Sequence, residues 1–529
     1  AQLHSVCVGM VPWRPAPLAL PDVRHGEFTA REWSSVGSLG SDVHPDLLRA
    51  IPLNICLEGW GSHFSGRDED GFHRSRGVDK IDFFLSHDWK TPRWAKTISL
   101  LMHFNGVPAA LATVTTCTLM CVLLVCDVLP GGWPTASVCT YAGFWCVFLF
   151  WQNMRGCFGW QTMVFLDSVC IPQRDQERKK EGIFSLGGIV AQSRRLLILW
   201  SPRYCSRLWC AFELASFLRE DGGKADFVDF VPVTMTPLLL SAAVFVAACS
   251  VCFQTHLILE DVFFLKVNPD DSQRLEAIGW TLSMTLMALM PVVLVMQPLT
   301  IFFGIKLMKD LLQLEQQLGN FSIRAAECSC CSWEHSDPQT GEELLCDRAL
   351  VFQTLKRWYP SPSCLETQDG HLDQFDELIR THLSASVLQI RGSGFPPFRC
   401  VLVIMAAPAS AMLCQYVAMC MVDARHWGVG RWLLDYSKFP PIAFFIFWEY
   451  VTAWRIGALL HGRVPTWVLV VVIQSTCIFC ALSLLLPYEV AKYAVGSSTI
   501  ISILPVMLIW TVVTFCYIRE LGGNLRRGC

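Results

Sequence analysis

Charged side chains are scarce in this sequence. Asp, Glu, Lys and Arg make up 16% of the 529 residues, and hydrophobic residues make up 53%. A soluble globular chain averages roughly 25% charged residues. The shortage excludes an ordinary soluble globular protein and implies that charge is kept out of long stretches of the chain.

Two further absences narrow the class of protein. The net charge of −3 leaves no excess of positive charge, so nothing indicates a nucleic-acid partner. Residues 1–24 are rich in proline and lack the basic start and apolar core of a secretory signal peptide.

The 25 cysteines are numerous, but many fall in apolar stretches, where cysteine acts as a small apolar residue. A cytosolic location also argues against a disulfide framework.

The stretches without charge predict membrane spans. Residues 97–126 and 128–154, for example, contain no Asp, Glu, Lys or Arg. A helix needs about 20 apolar residues to cross the hydrocarbon core of a bilayer. The sequence predicts eight such helices, at residues 107–127, 136–153, 235–255, 279–303, 400–421, 439–461, 465–486 and 495–517.

Lys and Arg between these spans indicate the orientation. The segment 155–229 is rich in both, and the chain ends with Arg526 and Arg527 close to its last residue. Short basic loops lie on the cytosolic side of a membrane. With eight spans, we expect a multi-pass protein in the lipid bilayer with the basic segments and both termini in the cytosol.

Four strands are predicted in the soluble part around the first two spans. Each is a short apolar run rich in β-branched or aromatic residues and bounded by polar loops. The runs occupy residues 81–86, 162–167, 196–200 and 227–233.

Helical patterns separate the strands. Residues 92–104, 183–193 and 206–220 have apolar side chains at helical spacing, and residues 168–182 are predicted to form a polar loop. Strands that alternate with helices predict a parallel sheet covered by helices on both faces. The expected fold class is therefore α/β together with an all-α membrane part.

Several segments of the α/β region resemble TIR (Toll/interleukin-receptor) domains. The run Ile81-Asp-Phe-Phe-Leu-Ser-His87 looks like their first box, and Val164-Phe-Leu-Asp167 looks like their second strand. Ser206-Arg-Leu-Trp-Cys-Ala-Phe-Glu-Leu214 is similar to the Trp-Cys-x-x-Glu-Leu stretch of plant immune receptors. The run Leu166-Asp-Ser-Val-Cys-Ile-Pro-Gln173 also resembles fungal heterokaryon-incompatibility domains. The resemblance implies a flavodoxin-like sheet.

The chain departs from the TIR pattern in two places. Two predicted spans, at 107–153, lie between the first helix and the second strand, so a transmembrane hairpin interrupts the domain. The fifth strand and last helix are also missing, because the chain enters the third span soon after Val233. The sheet is then either truncated or completed by residues from 1–79.

The carboxyl ends of the strands are the expected ligand site. Ligands of open parallel sheets bind beyond those ends, which selects residues 86–90, 168–182 and the start of the helix with Glu213. Many TIR domains cleave NAD and release nicotinamide, and the resemblance places their catalytic glutamate at Glu213. A carboxylate there would stabilise oxocarbenium character; the alternative is a surface or helix-capping role. NAD is expected as substrate, with no cofactor, and its predicted contacts are Ser86, His87, Asp88, Trp89, Lys90 and Trp209.

Two further features indicate a function less specifically: Asp167 and the third soluble piece, 306–399. Asp167 is interpreted as a loop anchor at a strand end. Residues 306–318 predict an amphipathic helix on the membrane surface that continues the fourth span, and 372–390 a second amphipathic helix. Between them lies a cysteine cluster that fits zinc binding, palmitoylation or plain reduced cysteines. Its spacing matches no paired Cys-x-x-Cys motif, so no metal site is assigned to Cys328, Cys330, Cys331, His335 and Cys346.

Three functions are compatible with the sequence. The first is a membrane-tethered TIR-like signalling enzyme that cleaves NAD, and the second is a non-catalytic TIR-like scaffold that acts by self-association. The third is a transporter with a regulatory domain, indicated by Glu449 inside the sixth span. The predicted regions are an N-terminal part of unknown fold (1–79), the TIR-like domain (80–106 and 155–233), the hairpin (107–153), two spans (235–303), a cytosolic helical region (306–399), four spans (400–517) and a basic tail (518–529).

Overall fold

The computed structural model describes most of residues 43–479. Glu449, most of the sixth predicted span and all of the eighth lie outside the described residues. The described ranges are 43–65, 71–219, 224–264, 271–336, 341, 346–359, 369–383, 398–423 and 453–479 without 455 and 458.

A six-stranded, mostly parallel sheet forms the centre of the α/β part. The strands are β1 (Arg49–Pro52), β2 (Arg76–Gly77), β3 (Ile81–His87), β4 (Met163–Phe165), β5 (Ser193–Trp200) and β6 (Val228–Pro232). They lie in the order β2-β1-β4-β3-β5-β6. Strand β4 and residues 196–200 of β5 are apolar and buried, because helices cover both faces of a parallel sheet.

The four predicted strands are adjacent and parallel, as expected. In β3, Phe83 lies opposite Val164 of β4 on one side, and Leu85 lies opposite Leu197 of β5 on the other. Strand β6 continues the sheet beside β5. Along the sheet these four strands lie in the chain order second, first, third, fourth, so the order reverses beside β3 as it does in doubly wound sheets. A long helical hairpin between β3 and β4 does not disturb their pairing.

The N-terminal region extends the sheet. Strand β1 pairs antiparallel with β4, with Ile51 opposite Val164, and β2 pairs antiparallel with β1. Residues from 1–79 therefore add two strands at the β4 edge, whereas among the described residues no strand lies beyond β6, where a fifth parallel strand would be. At the opposite edge, Arg195 of β5 pairs with Asp229 of β6 at 2.8 Å.

Short helices surround the sheet, and the predicted loop at 168–182 is wrong. Asp175 caps a helix there by accepting a hydrogen bond from the Arg178 N–H at 3.2 Å. This helix is rich in charge and has no apolar stripe, so hydrophobic periodicity does not reveal it. The predicted helix 183–193 also ends earlier, because Ser193 belongs to β5. The helices are α1 (Leu53–Gly61), α4 (Asp167–Cys170), α5 (Gln176–Phe184), α6 (Leu186–Ala191) and α7 (Leu208–Leu218).

Four helices of the described residues are long and apolar enough to cross a membrane. They coincide with the first four predicted spans. Their surfaces expose large apolar side chains, such as Leu111 at 62% and Leu119 at 55%, which suits contact with lipid. They are α2 (Arg93–Val125), α3 (Gly132–Cys157), α8 (Met235–Phe264) and α9 (Asp271–Gly319). Two further helices, α13 (Phe398–Asp423) and α14 (Thr466–Phe479), contain shorter apolar stretches.

Helix α2 connects the sheet directly to the long apolar helices. The predicted helix 92–104 and the first predicted span are one continuous helix. Leu100 packs into the core of the sheet, and Asn105 marks the change of surroundings. The Asn105 amide donates to the Phe148 carbonyl at 2.8 Å, and Gln152 donates to Asn105 Oδ1 at 2.7 Å. These hydrogen bonds join α2 to α3 where both helices leave the domain.

The third soluble piece packs on the α/β domain. Leu314 and Leu318 of α9 are buried in the same core as the sheet, and Gln317 donates to the Pro202 carbonyl at 2.6 Å. The expected continuation of the fourth span through 306–318 is confirmed, because α9 runs without a break to Gly319. Protein covers the end of its apolar stripe, and such a stripe has the same pattern whether protein or lipid covers it. The piece continues with α10 (Ser329–Ser332), α11 (Asp347–Trp358) and α12 (Gly370–Leu378), which runs on as a π-helix (Ile379–Leu383). The rest of the predicted helix 372–390 lies outside the described residues.

The orientation in the membrane gives a testable prediction. If the basic segments face the cytosol, an epitope tag after Trp133, in the first turn of α3, should react only from the non-cytosolic side. A tag at Glu177 in the exposed helix α5 should react only from the cytosolic side. Antibody labelling of intact and permeabilised cells measures both, and cytosolic labelling at Trp133 would contradict the number of spans.

Candidate active site

A recess lies at the carboxyl ends of β3, β4 and β5. It is narrow, with room for about one water molecule. The strand order reverses at this point of the sheet, so neighbouring loops diverge and leave a crevice. The lining residues are Phe84, Leu85, His87, Trp89, Asp167, Arg207, Trp209, Cys210 and Glu213.

Glu213 is fixed in this recess by a chain of hydroxyl groups. It lies in the second turn of α7, which begins at Leu208 after the extended residue Arg207. Ser86, buried at the end of β3, donates to Glu213 Oε2 through its Oγ. The buried Tyr204 hydroxyl lies 2.6 Å from the same Ser86 Oγ. Because the single hydroxyl hydrogen of Ser86 is used in the bond to Glu213, the Tyr204 hydroxyl is the donor in its hydrogen bond with Ser86.

The surroundings of Glu213 disfavour its charge. Part of the residue stays accessible, but burial of the carboxyl group raises its pKa to about 8. The Ser86 hydrogen bond works against the increase, and the neighbouring Asp167 adds to it. Glu213 is therefore mostly protonated at neutral pH. A cation bound within a few ångströms would favour the carboxylate again.

Asp167 provides a second carboxyl group at the end of β4. Its Oδ1 accepts the Ser168 N–H at 2.8 Å in the first turn of α4, and it also lines the recess. Burial raises the pKa of Asp167 to about 6, against the opposing effects of the Ser168 hydrogen bond and the Lys96 charge. Between about pH 6 and 8 the recess thus holds one carboxylate and one carboxylic acid, an arrangement typical of acid–base chemistry.

A buried lysine lies behind the recess. Lys96, in the first turns of α2, has no exposed surface, and within the described residues its Nζ has no hydrogen-bond partner. The Nζ lies 5.6 Å from the Trp89 ring centroid and 5.5 Å from that of Phe64, within cation–π range. No sequence pattern selects Lys96, because only the packing of α2 against the sheet brings it here.

The loop after β3 forms one wall. The buried His87 ring packs 4.8 Å from the Trp89 ring and 5.3 Å from that of Phe64. Asp88 is also buried, and its carboxylate accepts the Lys90 N–H at 3.3 Å. The Lys90 side chain is exposed and does not line the recess.

Trp209 forms the opposite wall, and a distant segment holds it. Its Nε1 donates to Asp347 Oδ2 at 3.1 Å, and its ring meets that of Phe212 edge-on at 5.7 Å. The bond to Asp347 comes from α11, far along the chain, so no local pattern predicts it. Arg207 and Cys210 also line the recess. Both lie within two residues of Trp209 in the TIR-like run, and this short distance in sequence could have predicted them as site residues.

The structure thus brings most of the predicted residues together. Glu213, His87, Trp89 and Trp209 line one recess, with Ser86 bonded to Glu213, whereas Asp88 is buried and Lys90 lies outside the lining. No family model, curated protein or solved structure matches the chain. What the recess can do therefore follows from its own residues.

Proposed function

We propose that this chain is a membrane-tethered signalling protein whose TIR-like domain cleaves NAD and releases nicotinamide. The observation that supports this most is the position of Glu213. It lies at the crevice where the strand order reverses, bonded to Ser86 and between two tryptophan walls. The four-strand order and the Trp209-Cys210-x-x-Glu213 run point to the same family resemblance.

The proposed reaction breaks the bond between the nicotinamide nitrogen and C1′ of the ribose. The bonding electron pair leaves with nicotinamide, which becomes neutral, and the ribose gains oxocarbenium character. Glu213, ionised by the cationic substrate, stabilises this charge at close range. Water then adds to C1′, and Asp167 is placed to accept the proton that the water loses. The products are nicotinamide, ADP-ribose and one proton.

The size of the recess limits what it admits. Its present width holds about one water molecule, so the side chains of Trp89 and Trp209 have to move apart before their flat faces can contact the nicotinamide ring. The pyrophosphate would then lie at the rim. Lys90 and Arg93 are both exposed there, next to the loop after β3, and cationic side chains of this kind bind phosphates.

The direct test is nicotinamide release by the purified full-length chain. In detergent or proteoliposomes with NAD, equal amounts of nicotinamide and ADP-ribose should accumulate over time, as measured by chromatography. A chain heated beyond unfolding serves as the control. Absence of both products from a folded, monodisperse preparation would contradict the proposal.

The narrowness of the recess favours one alternative, a scaffold that assembles through the same domain without chemistry. Its contact surface would be the charged, exposed helix α5, which lies in the 168–182 region. If NAD is not cleaved, loss of self-association on Arg178→Glu, a change at an exposed position of α5, measured by cross-linking, would support this alternative. The transporter hypothesis depends on Glu449, which lies outside the described residues.

A further inference from the structure

Four zinc-type ligands converge between α9 and α11. Cys330, Cys331, His335 and Cys346 each offer one ligand atom, and all four atoms lie within 4.8 Å of one another. The spacing in sequence follows no paired motif, so only the folding of the segment reveals the group. Three thiols and one imidazole form a ligand set that is common in closed structural zinc sites.

The distances suit a tetrahedral ion. With Zn–S bonds of about 2.3 Å, two sulfurs of a tetrahedral site lie roughly 3.8 Å apart. The Cys331 and Cys346 sulfurs are 3.7 Å apart. By contrast, Cys328 and Cys330 sulfurs are 3.1 Å apart, too close for two ligands of one zinc ion. Cys328 therefore acts as a hydrogen-bond partner of Cys330 rather than as a ligand.

The backbone around His335 supports a ligand role independently. Glu334 and His335 adopt φ values of 52° and 58°, a left-handed region that costs non-glycine residues of order 1–3 kcal/mol each. Such strain persists where another interaction offsets it. His335 Nε2 is also buried, and among the described residues it has no hydrogen-bond partner. A nitrogen held in this way suits coordination.

Hydrogen bonds join the segment that carries the four ligands to the start of α7. The Glu327 N–H donates to the Ser206 carbonyl at 2.6 Å, and the Leu208 N–H donates to the Glu327 carbonyl at 3.1 Å. Asp347 donates its N–H to Cys330 Sγ at 3.3 Å and accepts from Trp209 Nε1 at 3.1 Å. N–H donation to a ligand sulfur is a typical outer contact of a metal site.

We propose that Cys330, Cys331, His335 and Cys346 bind a structural zinc ion that fastens this segment to the first turn of α7. The ion closes the segment with four protein ligands and leaves no open position for chemistry. It holds Asp347 in place, and Asp347 in turn positions Trp209 in the recess. The proposal stands whether or not the recess cleaves NAD.

Metal analysis of the full-length chain tests this. Protein purified without chelator should contain about one zinc ion per chain, as one four-ligand site requires. Cys346→Ser and His335→Ala should each lower zinc affinity by at least the roughly tenfold that loss of an outer partner causes. Cys205→Ser, which changes a half-buried thiol outside the four residues, should keep the zinc.

Cobalt provides a second readout on the unmodified chain. Exchange of zinc for Co(II) should give the visible absorption and thiolate charge-transfer bands of a tetrahedral sulfur site, even if a variant fails to fold. Background zinc content with no such bands would overturn the proposal, and so would thioester-linked lipid on Cys331 and Cys346 in mass spectrometry. Zinc loss in Cys205→Ser equal to that in Cys346→Ser would also overturn it.

Discussion

Glu213→Gln should lower the rate of nicotinamide release on the order of 10²–10³-fold, the usual loss when one preorganised electrostatic group is removed. Glutamine keeps the size of the side chain and can still accept the Ser86 hydrogen bond, but it cannot carry the negative charge that stabilises the oxocarbenium. Glu213→Asp should also lose most activity, because the shorter side chain moves the carboxylate away from C1′. Initial rates at saturating NAD measure all three proteins.

The Glu213→Gln variant should remain folded and unfold at a higher temperature than the wild type in alkaline buffer. The pKa of Glu213 rises from its usual 4.5 to about 8 in the folded protein, so folding retains a proton that the unfolded chain releases. Wild-type stability therefore falls as pH rises from about 4.5 to 8, whereas glutamine has no such penalty. Glu177→Gln, on the exposed face of α5, is the matched control and should change neither rate nor stability. A Glu213→Gln variant as active as the wild type would contradict the catalytic role of Glu213 and favour the scaffold hypothesis.

A steep rise of kcat/KM with pH is the second expected result. This parameter reports the ionisation of the free enzyme, and the reactive form needs Glu213 as carboxylate. With a pKa of about 8, kcat/KM should increase about tenfold per pH unit from pH 6 and level off above pH 8. Rates at low NAD concentration across that range measure it. A rate that falls instead over the same range would mean that protonated Glu213 is the reactive form.

Ser86→Ala provides the control for this pH profile. The Ser86 hydrogen bond lowers the pKa of Glu213, so its removal should move the midpoint of the profile to higher pH. The plateau rate should change much less than in Glu213→Gln, because Ser86 is fully buried, does not line the recess and acts on the carboxylate through its hydrogen bond. An unchanged midpoint would mean that the group whose ionisation controls the rate is not Glu213.

Much of the site follows from local patterns. The apolar run of β5, residues 196–200, is buried in the core, and such a run has few alternatives to a central strand. Glu213 lies near the carboxyl ends of the strands because α7 begins soon after β5 ends, and ligands of open parallel sheets bind at those ends. The charged helix α5 was missed because nothing apolar marks its period.

Local patterns were sufficient to identify which segments are strands, where the first long apolar helices lie and that Glu213 belongs to the ligand edge of the sheet. Each of these depends on side-chain periodicity or on the absence of charge over neighbouring residues. The partners that come from distant segments became known only from the folded chain: β1 at the sheet edge, Lys96 behind the recess, Asp347 on Trp209, and Cys346 with His335. Burial and hydrogen bonding select these pairs over long stretches of chain, and no local pattern records which distant surfaces will meet.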